Sequence, residues 1–163
     1  MLLSRQFLTW PINVKIRKAE LSDAPVIAEF NLLLAMETEG LRLDPECVRK
    51  GVTALLADPA KGVYYVAEID GTIAGQLMIT YEWSDWRNGN IWWIQSVYVR
   101  KECRRRGLFR HLASAHKGVC GLRLYMHSDN RAARRSYESL GMRQTKYEVF
   151  ELVLDPASAE GLG

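Results

Sequence analysis

Apolar and polar residues follow strand-like and then helix-like spacing in the first part of the chain. Residues 13–17 alternate polar and apolar side chains, which predicts a first strand. A helix follows, because Asp23 offers a cap and apolar residues then recur at helical spacing until Gly40. A second helix opens with the Asp-Pro at residues 44–45 and is stopped by the Asp-Pro at residues 58–59. One strand followed by two helices is therefore expected here.

The middle of the chain changes to a strand-rich pattern. Segments 63–69 and 72–81 flank Asp70-Gly71, a dipeptide typical of two-residue hairpin turns. We expect these two strands to pair antiparallel. A polar loop at residues 84–89 ends this hairpin and leads to the next strand.

Strand-forming residues return at 91–99, where Trp, Ile and Val are frequent. The alternation is irregular at residues 94–97, which indicates a β-bulge. A third helix is expected to start near Gly107 and to end by Gly118 or Gly121.

The last part of the chain predicts a strand at residues 122–126 and a fourth helix that Asn130 caps and Gly141 ends. One or two further strands are expected within residues 142–154, and the tail at 155–163 is expected to fray. The resulting order, β-α-α-β-β-β-α-β-α-β-β, predicts an α/β protein with a mixed sheet.

Composition narrows the class of protein without selecting a function. With 163 residues, 48% of them hydrophobic and 25% charged, we expect one globular domain over 1–163 with its core at about 13–154. The sequence has no basic leader and no apolar run of about 18 residues, so we expect a cytoplasmic protein without a membrane span. Three cysteines without metal-like spacing argue for reduced thiols and against a metal site.

The net charge of +3 owes much to one basic segment, residues 100–110, which joins a predicted strand to a predicted helix. The first amides of a helix lack intrahelical partners and lie at the positive end of its dipole, so they bind phosphate well. Gly107 lets a phosphate approach the backbone, and four arginines add charge-assisted hydrogen bonds. A solvated surface run or a nucleic-acid patch is the alternative interpretation of this segment.

The segment Arg104-Arg105-Arg106-Gly107-Leu108-Phe109 resembles the pyrophosphate loop of the GCN5-related N-acetyltransferase (GNAT) superfamily, Arg/Gln-x-x-Gly-x-Gly/Ala. Phe109 departs from the pattern, because it replaces a small residue and its ring must point away from the phosphates. A second family pattern, Asn-x-x-Ala-x-x-x-Tyr-x-x-x-Gly, is similar to the spacing of Asn130, Ala133, Tyr137 and Gly141. The resemblance covers most of residues 14–154 and implies a GNAT-like acyl-CoA N-acyltransferase fold that uses acetyl-CoA as co-substrate.

The resemblance also implies which residues contact the cofactor. The expected contacts are Val97, Tyr98, Val99, Arg104, Arg105, Arg106, Gly107, Leu108, Phe109, Arg110, Asn130, Ala133 and Tyr137. It implies further that a backbone amide within residues 94–97 polarises the thioester carbonyl. Tyr137 is the candidate acid, because a phenol with a pKa near 10 stays protonated at neutral pH and can protonate the departing sulfur. A tyrosine on the inward face of the helix is the alternative interpretation.

Acetyl transfer to an amine needs a base that removes a proton from the ammonium group and side chains that attract this cation. Glu82 is the first candidate base and Asp85 the second, since both acids lie among aromatic residues before the strand at 91–99. Acceptor contacts are expected from Glu37, Glu39, Trp83, Trp86 and Gln95. Solvated acids beside tryptophans that pack the sheet are the alternative.

Three functions compete on these observations. The first is acetyl transfer from acetyl-CoA to a primary amine of a small molecule or peptide, by direct attack in a ternary complex. The second is a non-catalytic coenzyme A-binding regulatory module. This alternative rests on Phe109, which departs from the family's loop pattern. The third, nucleic-acid binding through residues 100–110, is not expected, because aromatic residues are not interleaved with this basic segment as a stacking platform requires. Family resemblance suggests a homodimer.

Overall fold

In the first unit of the fold, the described helices pack on one face of an open sheet. The computed structural model describes residues 14–104, 107 and 118–152. These residues fall into two compact units, with the boundary between Asp129 and Asn130.

The first unit carries seven strands and helices in its described residues. They are β1 (Val14–Lys18), α1 (Ala24–Glu39), α2 (Pro45–Ala57), β2 (Val63–Ile69), β3 (Thr72–Ser84), β4 (Gly89–Val99) and β5 (Gly121–Leu124), with 3₁₀ turns at Leu21–Asp23 and Lys101–Cys103. The sheet order is β1-β2-β3-β4-β5. All neighbours pair antiparallel except β4 and β5, which are parallel. The predicted mixed α/β sheet is therefore confirmed.

Turn and cap residues explain where these elements begin and end. Asp70 (φ 50°) and Gly71 (φ 77°) both have positive φ, which gives the β2–β3 hairpin the tight turn that the Asp-Gly pair predicts. The Asp44 side chain accepts a hydrogen bond from the Glu46 amide at 3.0 Å and caps α2. Gly40 (φ 67°) ends α1 in the left-handed conformation.

Apolar side chains cover both faces of the sheet. Tyr64 and Val66 of β2 pack on one face against Ile27 of α1 and Val52 of α2. A second cluster lies on the other face and contains Ala67, Ala74, Leu77, Ile79 and Ile94. Gln76 and Glu82, two of the residues discussed for the candidate site below, lie on the sheet face that α1 and α2 cover.

Three predicted segments in the last part of the chain have different outcomes. Residues 108–117, most of the predicted third helix, lie outside the described residues, as do 153–163 with the predicted tail. One or two strands are expected within residues 142–154, and the described part of that range, residues 142–152, contains no strand. Large apolar side chains there are exposed, among them Tyr147, Val149, Phe150 and Leu152. A strand requires a hydrogen-bonded neighbour, which the sequence of this segment does not specify.

No helix in the described part of the chain is long and apolar enough to cross a membrane.

An ion-pair cluster ties β1 to β2 and to the start of α1. Arg17 donates hydrogen bonds to both oxygens of Asp23, at 2.6 and 3.0 Å, and to Glu68 at 2.7 Å. Asp23 is buried and also accepts the Glu20 amide at 2.7 Å. The hydrogen bond from Arg17 outweighs the opposing effect of burial and lowers the pKa of Asp23.

We predict that Asp23→Asn destabilises the protein near neutral pH by about 1.5–3 kcal/mol, the range of hydrogen bonds to charged groups. Because the folded-state pKa of Asp23 is lowered, its contribution is complete above the unfolded pKa and is lost as pH falls through the folded pKa. Chemical denaturation of wild type and variant at several pH values measures this difference, which should shrink in acid. The exposed Glu46→Gln exchange is the control and should change stability by about 0.5 kcal/mol or less. A difference that stays constant into acid contradicts the prediction.

Candidate active site

A β-bulge in β4 forms the centre of the site. In the β3–β4 ladder, Gln76 pairs with Tyr98 and Met78 pairs with Gln95, so that Leu77 lies opposite two residues, Ser96 and Val97. Ser96 has a φ of 48°, in the left-handed region that residues other than glycine seldom adopt. The irregularity predicted within residues 94–97 is confirmed, and it takes this part of β4 out of the regular ladder.

A chain of buried and half-buried polar groups lies beneath the bulge. The Nε2 atom of Gln76 donates to Oδ1 of Asn31 at 2.8 Å and to the Ser96 carbonyl at 3.4 Å. Asn31 in turn donates from Nδ2 to the Tyr64 hydroxyl at 3.0 Å. Burial raises the pKa of Tyr64, against the effect of its hydrogen bonds with Asn31 and Ser96. The chain links α1, β2 and β3 to the bulge.

The predicted cofactor residues Val97, Tyr98 and Val99 form the end of β4, and Arg104 follows after one 3₁₀ turn. Arg104 donates from Nε to the Val99 carbonyl at 2.8 Å, and its guanidinium carbon lies 5.4 Å from the centre of the Tyr98 ring. Gly107 has a φ of 78°, a conformation in which a side chain would be strained. Arg105, Arg106, Leu108, Phe109 and Arg110 lie outside the described residues.

Glu37 joins the last turn of α1 to this loop. Its carboxylate accepts Arg104 Nη2 at 2.7 Å, and Lys101 Nζ lies 3.4 Å away. Burial opposes ionisation, but the two cations outweigh it, so the pKa of Glu37 is lowered. The side chain predicted to contact the acceptor therefore pairs with the first arginine of the predicted pyrophosphate loop. Glu39, two residues later, is exposed.

The candidate base Glu82 is held by two donors from neighbouring strands. Arg123 of β5 donates to both of its oxygens, at 2.7 and 3.0 Å, and the Trp93 indole donates to Oε2. Trp93 also stacks on Tyr125, with ring centroids 4.4 Å apart. Sequence reasoning missed Arg123, Tyr125 and the hydrogen bond from Trp93. The only sequence signal for these contacts was a single cationic residue, Arg123, on a predicted strand. The contacts themselves depend on the register of the parallel β4–β5 pair, which no local sequence pattern encodes.

Alternation along β3 decides which predicted acceptor residues share a face. Glu82 lies on the same face as Gln76, which contacts α1, and Gln95 joins that face by donating to Thr80 Oγ1 at 2.6 Å. Trp83 is the next residue after Glu82 and points to the opposite face. The structure therefore brings Glu82 and Gln95 to one face of the sheet and leaves Trp83 on the other.

The turn between β3 and β4 carries the remaining candidates. Asp85 is exposed and accepts the Trp86 amide at 2.9 Å, while the Trp86 side chain is 91% exposed. No contact joins these two side chains to Glu82 among the described residues.

The second unit carries the other family pattern. Asn130 caps α3 (Arg131–Glu138), its Oδ1 accepting the Ala133 amide at 3.0 Å, as predicted. Tyr137 follows on the same side of the helix and is half-buried, and burial raises its pKa. Gly141, with a φ of 83°, ends this segment.

The chain is similar to known acetyltransferases in sequence and in fold. A sequence model described as the acetyltransferase (GNAT) family matches residues 35–142, more than half of the chain. No curated protein matches the sequence. The chain is 45% identical to a possible acetyltransferase from Clostridium difficile 630 of known structure, with a TM-score of 0.81 over 87% of this chain and 98% of that one.

Two more distant structures show the same fold. A probable acetyltransferase is 24% identical, with a TM-score of 0.74 over 86% of this chain and 98% of that one. The ribosomal-protein-alanine N-acetyltransferase from Brucella melitensis biovar Abortus 2308 is 17% identical, with a TM-score of 0.68 over 87% and 100%. The chain thus belongs to the acetyltransferase (GNAT) family and is an acetyl-CoA-dependent acetyltransferase.

Proposed function

We propose that the protein moves the acetyl group of acetyl-CoA to a primary amine of a small molecule or peptide, by direct attack of the amine in a ternary complex. The β4 bulge is the observation that carries this proposal. At Ser96 and Val97 the strand leaves its ladder, which suits a backbone amide that polarises a carbonyl. A cation for phosphate, Arg104, follows one 3₁₀ turn after the same strand.

The described part of the loop fits a pyrophosphate. Arg104 supplies a planar guanidinium at the strand end, and Gly107 adopts a backbone conformation that favours glycine. The other proposed cofactor contacts are Val97, Tyr98, Val99, Arg105, Arg106, Leu108, Phe109, Arg110, Asn130 and Ala133.

The chemistry assigns one task to each group. Acetyl-CoA supplies the thioester carbonyl and a thiolate leaving group. The amine nitrogen bonds to the carbonyl carbon while the C–S bond breaks, and Tyr137 gives its phenolic proton to the departing sulfur. Glu82 removes the excess proton of the amine through water, and Asp85 is the second candidate for that task. The products are an amide and free coenzyme A.

The hydrogen bonds to Glu82 are compatible with this task. Each carboxylate oxygen has two lone pairs, so the donors Arg123 and Trp93 leave capacity for a water molecule. We also propose acceptor contacts from Gln95 beside Glu82 and from Glu37, Glu39, Trp83 and Trp86. A cytoplasmic location and a homodimer remain predictions.

Tyr137→Phe is expected to lower kcat by about 10²–10⁴-fold, the usual contribution of a general acid, while coenzyme A still binds. Burial raises the pKa of Tyr137, so the phenol stays protonated through neutral and mildly alkaline pH. Wild-type kcat should therefore fall only as pH rises through that raised value, and the variant should lack this limb. Release of free thiol from acetyl-CoA with a panel of amines measures both effects.

The matched control for Tyr137→Phe is Tyr147→Phe, an exposed tyrosine ten residues later in the same unit. It should keep wild-type kcat. Equal activity in Tyr137→Phe and wild type would remove Tyr137 from the mechanism.

Glu37→Gln is expected to tighten binding of coenzyme A about 1.4- to fivefold, because exposed ion pairs contribute about 0.2–1 kcal/mol and Arg104 would no longer share its charge with a carboxylate. Titration calorimetry at low and high salt measures the change, which should diminish as salt screens it. Glu39→Gln removes the same charge from the exposed end of α1 and should leave the affinity nearly unchanged. Weaker binding in Glu37→Gln would mean that the pair holds Arg104 in place for the phosphates.

A further inference from the structure

We propose that Gln76 is a positioning residue for acetyl transfer, because it holds Ser96 in the left-handed conformation and so aims the backbone of the β4 bulge at the thioester carbonyl. The inference rests on the proposed function. Gln76 acts through the backbone of Ser96 and is not assigned a contact with either substrate.

The place of Gln76 in the ladder suits this role. It lies on β3 directly beside Leu77, the residue that faces the two bulged positions of β4. Its side chain is 0% exposed, and its Nε2 atom reaches the Ser96 carbonyl at 3.4 Å. A donor on this carbonyl resists rotation of the peptide that follows Ser96, whose N–H belongs to Val97.

The other hydrogen bond of Gln76 fixes its orientation. Asn31 accepts Nε2 at 2.8 Å and is itself held by its hydrogen bond to Tyr64, which is 3% exposed. The amide of Gln76 is therefore tied through Asn31 to α1 and β2. A side chain held by two other elements can restrain a third, whereas a freely rotating side chain cannot.

Packing alone does not explain a glutamine at this position. Its Oε1 atom is buried and accepts no hydrogen bond within the described part of the chain. A buried acceptor without a partner is unfavourable, and methionine would fill a similar volume without that penalty. The donor atom Nε2, which bonds to Asn31 and Ser96, is what distinguishes glutamine from methionine here.

The conformation of Ser96 needs such support. A serine at φ 48° is strained, and strained residues persist where the surrounding structure determines their conformation. If the restraint is removed, we expect Ser96 to relax toward the regular ladder. The neighbouring amides would then turn away from the direction required for the carbonyl, and small errors in position cost large factors in rate.

The test is Gln76→Met in the full-length protein, assayed by thiol release and by binding of coenzyme A. We expect kcat to fall about 10–100-fold, less than the loss of an entire oxyanion donor. Affinity for coenzyme A, which has no acetyl carbonyl, should stay within about twofold of wild type. A fall in kcat without a fall in coenzyme A affinity separates positioning from general damage to the site.

A second substitution tests the role of Ser96 directly. Glycine adopts positive φ without the strain of a side chain, so Ser96→Gly introduced into Gln76→Met should restore most of the lost kcat. The matched control is Ile79→Met, an equally buried exchange on the opposite face of β3, which should leave kcat unchanged. Absence of rescue, or a joint loss of kcat, coenzyme A affinity and melting temperature in Gln76→Met, overturns the inference.

Amide hydrogen exchange keeps this inference separate from the proposed function. If wild type acetylates no amine, the proposed function fails. Exchange at Ser96 and Val97 then decides the role of Gln76 on its own. We expect faster exchange at both amides in Gln76→Met than in Ile79→Met, and equal exchange rates in the two variants overturn the inference.

Discussion

The additional residue in β4 opposite Leu77 is the constraint on which the candidate site depends. It places Ser96 in a left-handed conformation and removes the end of the strand from the regular ladder of β3. The same strand then continues through Tyr98 to Val99, and Arg104 follows after one 3₁₀ turn, so a short stretch of backbone connects the two regions proposed to polarise the carbonyl and to bind phosphate. A regular strand would keep its amides in the ladder and would offer none of them to a substrate.

Ion pairs between distant segments support this arrangement. Arg17 joins β1 to β2 and to the start of α1, while Glu37 joins the end of α1 to Arg104 after β4. Helix α1 is thus tied at one end to the sheet and at the other to Arg104 of the proposed cofactor loop. The ring of Phe30, 4.8 Å from that of Tyr98, packs the middle of this helix on the end of β4. These ion pairs contribute by joining elements that are distant in the sequence. The net charge of the chain does not reveal which elements they join.

Local signals predicted much of the fold. The Asp70-Gly71 turn, the Asp44 and Asn130 caps and the glycine at the end of α1 act within a few residues of chain, so their physics is present in the sequence. Residues 142–152 show the limit of this reasoning. The sequence predicts strand in this range, but a strand forms only where another backbone accepts its hydrogen bonds, and no local pattern specifies that neighbour.

The sequence by itself determined the family, the loop that begins at Arg104, the helix that carries Tyr137 and an irregularity within residues 94–97, because each depends on residues close together in the chain. Only the tertiary structure decided that Glu82 pairs with Arg123, that Glu37 pairs with Arg104 and that Gln76 lies beneath Ser96. These contacts depend on strand register and on the packing of α1. Both are set by the total apolar surface that is buried over the whole sheet, and no single segment of the sequence reveals that total.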